Sequence, residues 1–268
     1  MLNKKITFIG GGNMAEGIIR GMIQQNACNP ETIEVYDILE RRLDYLKETY
    51  QVHVVPDIMQ AIVHSDILFI AVRPQDAQGV LKQIKNNNRN NALVISICAG
   101  VTLEQMEGVL DANARIARVM PNVLIEAKHG YSGVCVNRTV TDEDKKTLEQ
   151  MFSALGQTLF IQENQFNAFT AFSCAGPAYI MHCIEGLIDA GVQSGFSRYD
   201  ARNIVLENFI GSGHMLQMTD LHPFQQVDRM TSPAGVTIEG VSVLNENGLT
   251  GILMKAVKAA LDRTKELS

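Results

Sequence analysis

Short apolar runs and polar breaks alternate along the first half of the chain, and the spacing changes after about residue 160. Lys5–Ile9, Ile33–Asp37, Val52–Val55, Ile67–Val72, Ala92–Cys98 and Arg115–Met120 read as strands, most of them closed by glycine, proline or polar residues. Ile67–Val72 is apolar at every position, as expected for a parallel strand covered on both faces. Helical spacing lies between them: Asn13–Met22, Leu39–Tyr50 with Leu43 and Leu46 inward, a helix from Pro56-Asp57 to about His64, Asp76–Ile84, and one from Thr102 to Leu110. Asn86–Asn91 reads as a polar surface loop. This alternation through Asn122 predicts an α/β fold with a Rossmann-type doubly wound sheet. Tyr131–Val136 and Thr158–Ile161 add two strands around a helix that starts at Thr141-Asp142 and ends at Gly156.

From Asn164 the strand signals stop. Helices are expected at about 165–173, 177–194, 198–218, 223–230, 235–246 and 249–266. Pro177 and Pro223 suit first turns, and Gly195, Gly213 and Gly248 lie near helix ends. Ile180, Ile184, Leu187 and Ile188 form one apolar face, and Leu253, Val257 and Leu261 another. The expected division is a nucleotide-binding domain over 1–163 and an all-α domain over 164–268, whose apolar faces suit burial against a second subunit.

Composition narrows the function classes. The 268 residues include 29 acidic and 23 basic side chains, a net charge of −6, which argues against nucleic acid or an anionic membrane as the main partner. No apolar run approaches the roughly 18 residues of a membrane span. The apolar stretch at the N-terminus is short and breaks at glycines, unlike a signal peptide. Five cysteines, an odd number without a C-x-x-C, fit a reduced cytoplasmic compartment as small buried hydrophobes. The histidines lack H-x-x-x-H and H-E-x-x-H spacing, so no metal site is expected, and no G-x-S-x-G nucleophile elbow occurs.

The candidate chemistry begins at Gly10-Gly11-Gly12-Asn13-Met14-Ala15, a G-x-G-x-x-A between a strand and a helix. Gly10 permits a sharp turn, Gly12 lets a pyrophosphate approach the backbone, and Ala15 lets the helix pack on the strand. The phosphates would sit at the helix N-terminus, where free N–H groups and the dipole favour anions. The alternative is a tight turn without a ligand. Asp37, at the end of the second strand, is placed either to accept from the adenosine ribose hydroxyls, which favours NAD, or to cap the next helix. Arg41 and Arg42 are placed either to hold a 2′-phosphate or to face solvent. Strand ends at Arg73, Ala99 and Pro121 converge on one edge, where ligands bind in open α/β sheets. In the helical half, Ser232-Pro-Ala-Gly235 makes a turn before a helix opened by Val236-Thr237. Its backbone N–H groups and two hydroxyls suit a carboxylate, against the alternative of an ordinary Ser-Pro cap. Ser173–Pro177 is a second small-residue turn that could shape a pocket.

Six motifs in order resemble the pyrroline-5-carboxylate reductase family, from Ile6 to Leu267. Ile9–Ala15 is similar to I-G-x-G-N-M-A, Ala71–Gln75 to A-V-K-P-Q, Ser96–Gly100 to S-x-x-A-G and Arg118–Asn122 to R-x-M-P-N. Thr170–Tyr179 is similar to T-A-L-S-G-S-G-P-A-Y, with Glu185, Asp189, Ala190 and Gly191 following in phase, and Thr231–Gly240 to T-S-P-G-G-T-T-I-x-G. The resemblance implies NAD(P)H-dependent reduction of 1-pyrroline-5-carboxylate to L-proline. Gly10, Gly12, Asn13, Met14, Asp37, Val72, Arg73, Pro74, Ala99, Gly100 and Asn122 would then contact NADP(H) or NAD(H), with Arg73-Pro74 and Ala99-Gly100 flanking the nicotinamide. Ser232, Ala234, Gly235, Val236 and Thr237 would bind the substrate carboxylate. Ser232 and Thr237 are the candidate catalytic residues, the Thr237 hydroxyl bonding the ring nitrogen as it becomes an amine. The family also implies a dimer with intertwined helical domains, the substrate loop facing the partner's cofactor domain, and in some members a pentamer of dimers.

The chain departs from the family pattern at several positions. Ala234 stands where glycine is usual, Val236 where a small residue or threonine is, Cys174-Ala175 for Gly-Ser and Arg73 for Lys, and Pro56-Asp57-Ile58 lacks an asparagine often found near the cofactor. These changes leave open a cofactor-binding paralogue with weak catalysis and a regulatory role. A β-hydroxyacid dehydrogenase shares the layout, but such enzymes usually carry a catalytic lysine early in the second domain, and here no lysine occurs between Lys146 and Lys255.

Overall fold

A computed structural model describes residues 1–88 and 90–267. Among the described residues, eight strands form one sheet: β1 (Ile6–Ile9), β2 (Ile33–Tyr36), β3 (His53–Val54), β4 (Ile67–Ile70), β5 (Leu93–Ser96), β6 (Ile116–Pro121), β7 (Gly130–Val136) and β8 (Gly156–Phe160). Their order across the sheet is β3-β2-β1-β4-β5-β6-β7-β8, parallel through β6. The helices α1 (Asn13–Gln24), α2 (Glu40–Tyr50), α3 (Ile58–Val63), α4 (Pro74–Asn87) and α5 (Leu103–Glu107) are the crossovers. The direction of winding reverses between β1 and β4, so the crevice at their carboxyl ends is the switch point of the sheet.

Only a link with one 3-10 helix, Val123–Ala127, separates β6 from β7, too little for a parallel crossover, and these two strands pair antiparallel. The longer path from β7 through α6 (Asp142–Ser153) allows β8 to lie parallel to β7. β1 and β4 are buried at every position. Phe8 and Phe69 stack with ring centroids 4.3 Å apart, and Phe152 packs on the second ring at 6.4 Å. Each such aromatic contributes about 1.5–3 kcal/mol on burial.

The chain separates into two compact units, Met1–Cys174 with the chain from Leu261 on, and Ala175–Ala260. The first carries an extensive core on both faces of the sheet. The second is built from α8 (Gly176–Gln193), α9 (Arg198–Gln217), α10 (Pro223–Met230), α11 (Val236–Glu246) and the first two-thirds of α12 (Leu249–Leu267). No helix among the described residues is long and apolar enough to cross a membrane.

Several expected boundaries move. The strand expected over Ile67–Val72 ends at Ile70, because Arg73 must leave the sheet to cap α4 and Pro74 opens that helix. That helix starts earlier and runs to Asn87, taking in part of the polar loop expected over Asn86–Asn91; Arg89 of that loop lies outside the described residues. The helix expected to reach Gly156 stops at Ser153, and Gly156 opens β8 at φ +141°, where a Cβ would lie 2.0 Å from Gly130 O. The single helix expected at 165–173 is one α-helical turn, α7 (Phe166–Phe169), followed by a π-helical turn over Thr170–Cys174. Asn122 explains this in part: its side chain donates to the Ser173 carbonyl at 3.3 Å and so anchors the widened turn.

Candidate active site

The glycine turn fits a dinucleotide at the points where fit can be tested. Gly10 has φ +102°, and a Cβ there would lie 2.5 Å from Ala71 O, so only glycine can sit between β1 and the end of β4. A Cβ on Gly12 would meet nothing within 4 Å, so the outer side of the turn is open to an approaching phosphate. Gly12 is the N-cap of α1 and carries no side-chain cap, which leaves the N–H groups of the first turn for a ligand. Asn13 is exposed and Met14 half-buried beside it.

Asp37 follows β2 directly. Its Oδ2 accepts from Gly11 N–H at 2.7 Å and its Oδ1 from Leu39 N–H at 2.9 Å. The N-cap of α2 is Leu39, so Asp37 ties the end of β2 to the glycine turn rather than capping the helix. Arg42 behaves unlike a solvated arginine. Its Nε donates to the Gly11 carbonyl and its Nη2 to the Glu16 carboxylate of α1. Tyr45 and Tyr50 also donate to Glu16, at 3.0 and 2.7 Å. Burial alone would push the Glu16 carboxyl up, but the hydrogen bonds from Arg42, Tyr50 and Tyr45 outweigh it and hold the group below its ordinary value. Sequence reasoning missed this cluster, because Glu16 and Arg42 stand 26 residues apart and only the packing of α2 against α1 joins them. Arg41 is exposed.

The strand ends expected to converge do share one edge, since β4, β5 and β6 are parallel neighbours. After β4, Val72 is half-buried and accepts from the Cys98 thiol at 3.1 Å, which links it to the segment after β5. Arg73 is exposed and pairs with Asp76 at 3.0 Å, and Pro74 starts α4. Ala99 is exposed and Gly100, at φ +79°, turns the chain towards Thr102, whose capping box with Gln105 starts α5. Asn122, at the end of β6, is buried; its Oδ1 accepts from Leu124 and Tyr131 N–H, so its amide shapes this corner from within. Arg118, on β6 inside that corner, is 5% exposed, lies 3.9 Å from the Phe166 ring centroid and pairs with Glu163 at 3.1 Å.

In the helical unit, Ser232 O accepts from Gly235 N–H at 3.0 Å, closing the turn expected there. Gly235 is the N-cap of α11 and has no side-chain cap. A Cβ on Gly235 would lie 2.3 Å from Ser232 Oγ. Ala234 takes φ +57°, the left-handed conformation that glycine adopts without strain. Val236 is 91% exposed, and Ser232 and Thr237 are also exposed. The loop therefore presents free helix-terminal N–H groups flanked by two hydroxyls, the equipment for holding a carboxylate.

A doubly wound sheet with an open glycine turn at its switch point, followed by a helical unit with its own anion-suited helix terminus, defines a dinucleotide-dependent oxidoreductase. Residues 5–100 match the family model described as NADP oxidoreductase, coenzyme F420-dependent, and residues 163–267 match the model described as pyrroline-5-carboxylate reductase dimerisation. The pyrroline-5-carboxylate reductase of Methanosarcina acetivorans is 37% identical over 267 residues, which is 100% of this chain and 99% of that relative. The enzyme of that name from Synechocystis is 38% identical over 98% of both chains. Among solved structures, a pyrroline-5-carboxylate reductase from Coxiella burnetii matches with a TM-score of 0.93 and 34% identity, over 100% of this chain and 99% of that one. Plasmodium falciparum pyrroline carboxylate reductase with NADP bound matches at 0.89 and 32% identity, over 100% and 99%. The chain belongs to the pyrroline-5-carboxylate reductase family. It is thus an NAD(P)-dependent oxidoreductase that oligomerises through its helical half. These matches do not favour a β-hydroxyacid dehydrogenase.

Proposed function

We propose that the chain reduces 1-pyrroline-5-carboxylate to L-proline with NAD(P)H, the last step of proline synthesis, as a cytoplasmic homodimer. The observation that carries this reading is the uncapped N-terminus of α11 behind the Ser232–Gly235 turn, a carboxylate site in a chain that also holds an open dinucleotide turn. We assign residues 1–163 to the cofactor and 164–268 to substrate and dimerisation.

When bound, a reduced nicotinamide would supply the hydride that the C=N carbon accepts. The chain's own residues bind and orient. Gly10, Gly12, Asn13 and Met14 receive the pyrophosphate and Asp37 the adenosine ribose. Val72, Arg73, Pro74, Ala99 and Gly100 flank the nicotinamide, with Asn122 holding that edge in shape. The backbone of Ala234, Gly235 and Val236 and the Ser232 hydroxyl hold the substrate carboxylate. The Thr237 hydroxyl bonds the ring nitrogen as it becomes an amine. An iminium is already electrophilic, so positioning supplies much of the rate. Ala234 takes the left-handed conformation despite its Cβ, so this substitution costs stability in the loop.

The test is Thr237→Ala. Turnover of the imine should fall about 10²-fold while affinity for the cofactor stays within about twofold. Unchanged kcat/KM for the imine would remove Thr237 from the mechanism. Sedimentation should find a dimer or a pentamer of dimers; an active monomer would overturn the assembly.

A further inference from the structure

We infer that this chain selects NADH over NADPH, with Asp37 as the discriminating group and Arg42 withheld from the cofactor by Glu16. The inference rests on the glycine turn being the dinucleotide site. It sets this chain apart from the Plasmodium relative, which holds NADP.

Asp37 is fixed at the end of β2 by two backbone donors from separate segments, Gly11 and Leu39. A short carboxylate held there accepts from the two vicinal hydroxyls of an adenosine ribose. NADPH carries a phosphate on one of those positions, which would bring its negative charge against the carboxylate. A site for that phosphate needs a cation turned towards it. Arg42 touches the turn, but its guanidinium is already engaged: Nε on the Gly11 carbonyl, Nη2 on Glu16, and the Tyr45 ring 5.0 Å away. Its side chain is 21% exposed and that of Glu16 15%. Releasing Arg42 would leave Glu16 half-buried with only two tyrosine hydroxyls as partners, which is unfavourable. Arg41 remains, but it is exposed, and among the described residues no hydrogen bond or ion pair holds it towards the turn.

Equilibrium titration with NADH and with NADPH, read by the fluorescence of the reduced nicotinamide, tests this without any turnover. The natural chain should bind NADH about tenfold or more tighter than NADPH. Asp37→Asn keeps the shape and one acceptor, and should shrink that ratio by about tenfold; Asp37→Ser should shrink it likewise. Glu16→Gln loosens Arg42 and should tighten NADPH about threefold or more while leaving NADH nearly unchanged. NADPH binding as tight as NADH in the natural chain, or an unchanged ratio in folded Asp37→Asn, overturns the inference. Unchanged NADPH affinity in Glu16→Gln removes Arg42 from it. An NADH preference without proline formation would uphold the inference and sink only the assignment of the substrate.

Discussion

In the unit built on the sheet, apolar residues reach the interior from both faces, and β1 and β4 are wholly inside. In Ala175–Ala260 the buried apolar cluster is Ile188, Ala201 and Val205, with Ile184 and Phe209 packed on it. Ile180, Leu187, Ile210, Val243 and Ile252 remain about half exposed, and α11 buries none of its residues. The two units have similar raw materials, yet only the first encloses its own core. A sheet with helices on both faces makes two buried layers within one chain. A helical unit of this size, with apolar side chains on more than one face of a helix, needs a further surface to cover them. The match of this half to a dimerisation model is the counterpart of that deficit.

The sharpest way to break the comparison is a charge on an exposed apolar position of the helical unit. Leu187→Glu or Ile252→Glu would change the stability of a lone chain by only about 0.5 kcal/mol. If a second subunit covers these faces, either variant should dissociate the dimer in sedimentation and lower activity by about 10²-fold or more. Unaltered sedimentation in both variants would leave these faces without a partner.

An intermediate effect is expected in the sheet unit, where polar groups too are satisfied within the chain. Asp144 is buried, caps α6 with Thr141 and pairs with Arg115 at 2.6 Å. Asp144→Ala should cost about 2–3 kcal/mol in denaturant unfolding. Burial would raise the Asp144 carboxyl, but the hydrogen bonds from Thr141 and the Arg115 guanidinium outweigh it and hold the group below its ordinary value. The unfolded chain therefore binds the proton more readily. Stability from this group is present above the ordinary carboxylate value and is lost as pH falls through the lower, folded one. In Asp144→Asn the acid limb of the stability curve should flatten; an acid limb identical to that of the natural chain would rule the group out.

The smallest effect belongs to the substrate loop. Ala234→Gly removes a left-handed alanine and should stabilise the helical unit by about 0.5–1 kcal/mol, after the greater freedom of glycine in the unfolded chain is set against the relief. A loss of stability would show that the Ala234 Cβ makes a favourable contact in the dimer.

Much of the fold was legible because its signals are local. Ile67–Ile70 is apolar at every position, and a strand covered on both faces needs nothing else. Gly10 is set by a turn that no Cβ allows and Gly12 leaves the outer side of that turn open, so their spacing marks a candidate phosphate turn. The candidate site was legible to the same depth: the glycine turn, Asp37 and the Ser232–Thr237 loop could be named, but what their side chains do could not. Asp37 was readable as a ribose acceptor or a helix cap, and the fold gives its carboxylate to Gly11 and Leu39. Arg42 was readable as a phosphate ligand or a solvated side chain, and the fold gives its guanidinium to the Gly11 carbonyl and Glu16.

Burial periodicity, glycine sterics and composition were determined by the sequence itself, since each depends on a residue and its near neighbours. They suffice for a doubly wound sheet, a dinucleotide turn and a helical second half. The tertiary structure alone decided that Glu16 engages Arg42, that β7 runs antiparallel beside β6, that Thr170–Cys174 widens into a π turn, and that Ala234 lies in the left-handed region. Each of these is a choice among locally similar conformations, and the contacts that settle it come from packing rather than from the residue's own preference.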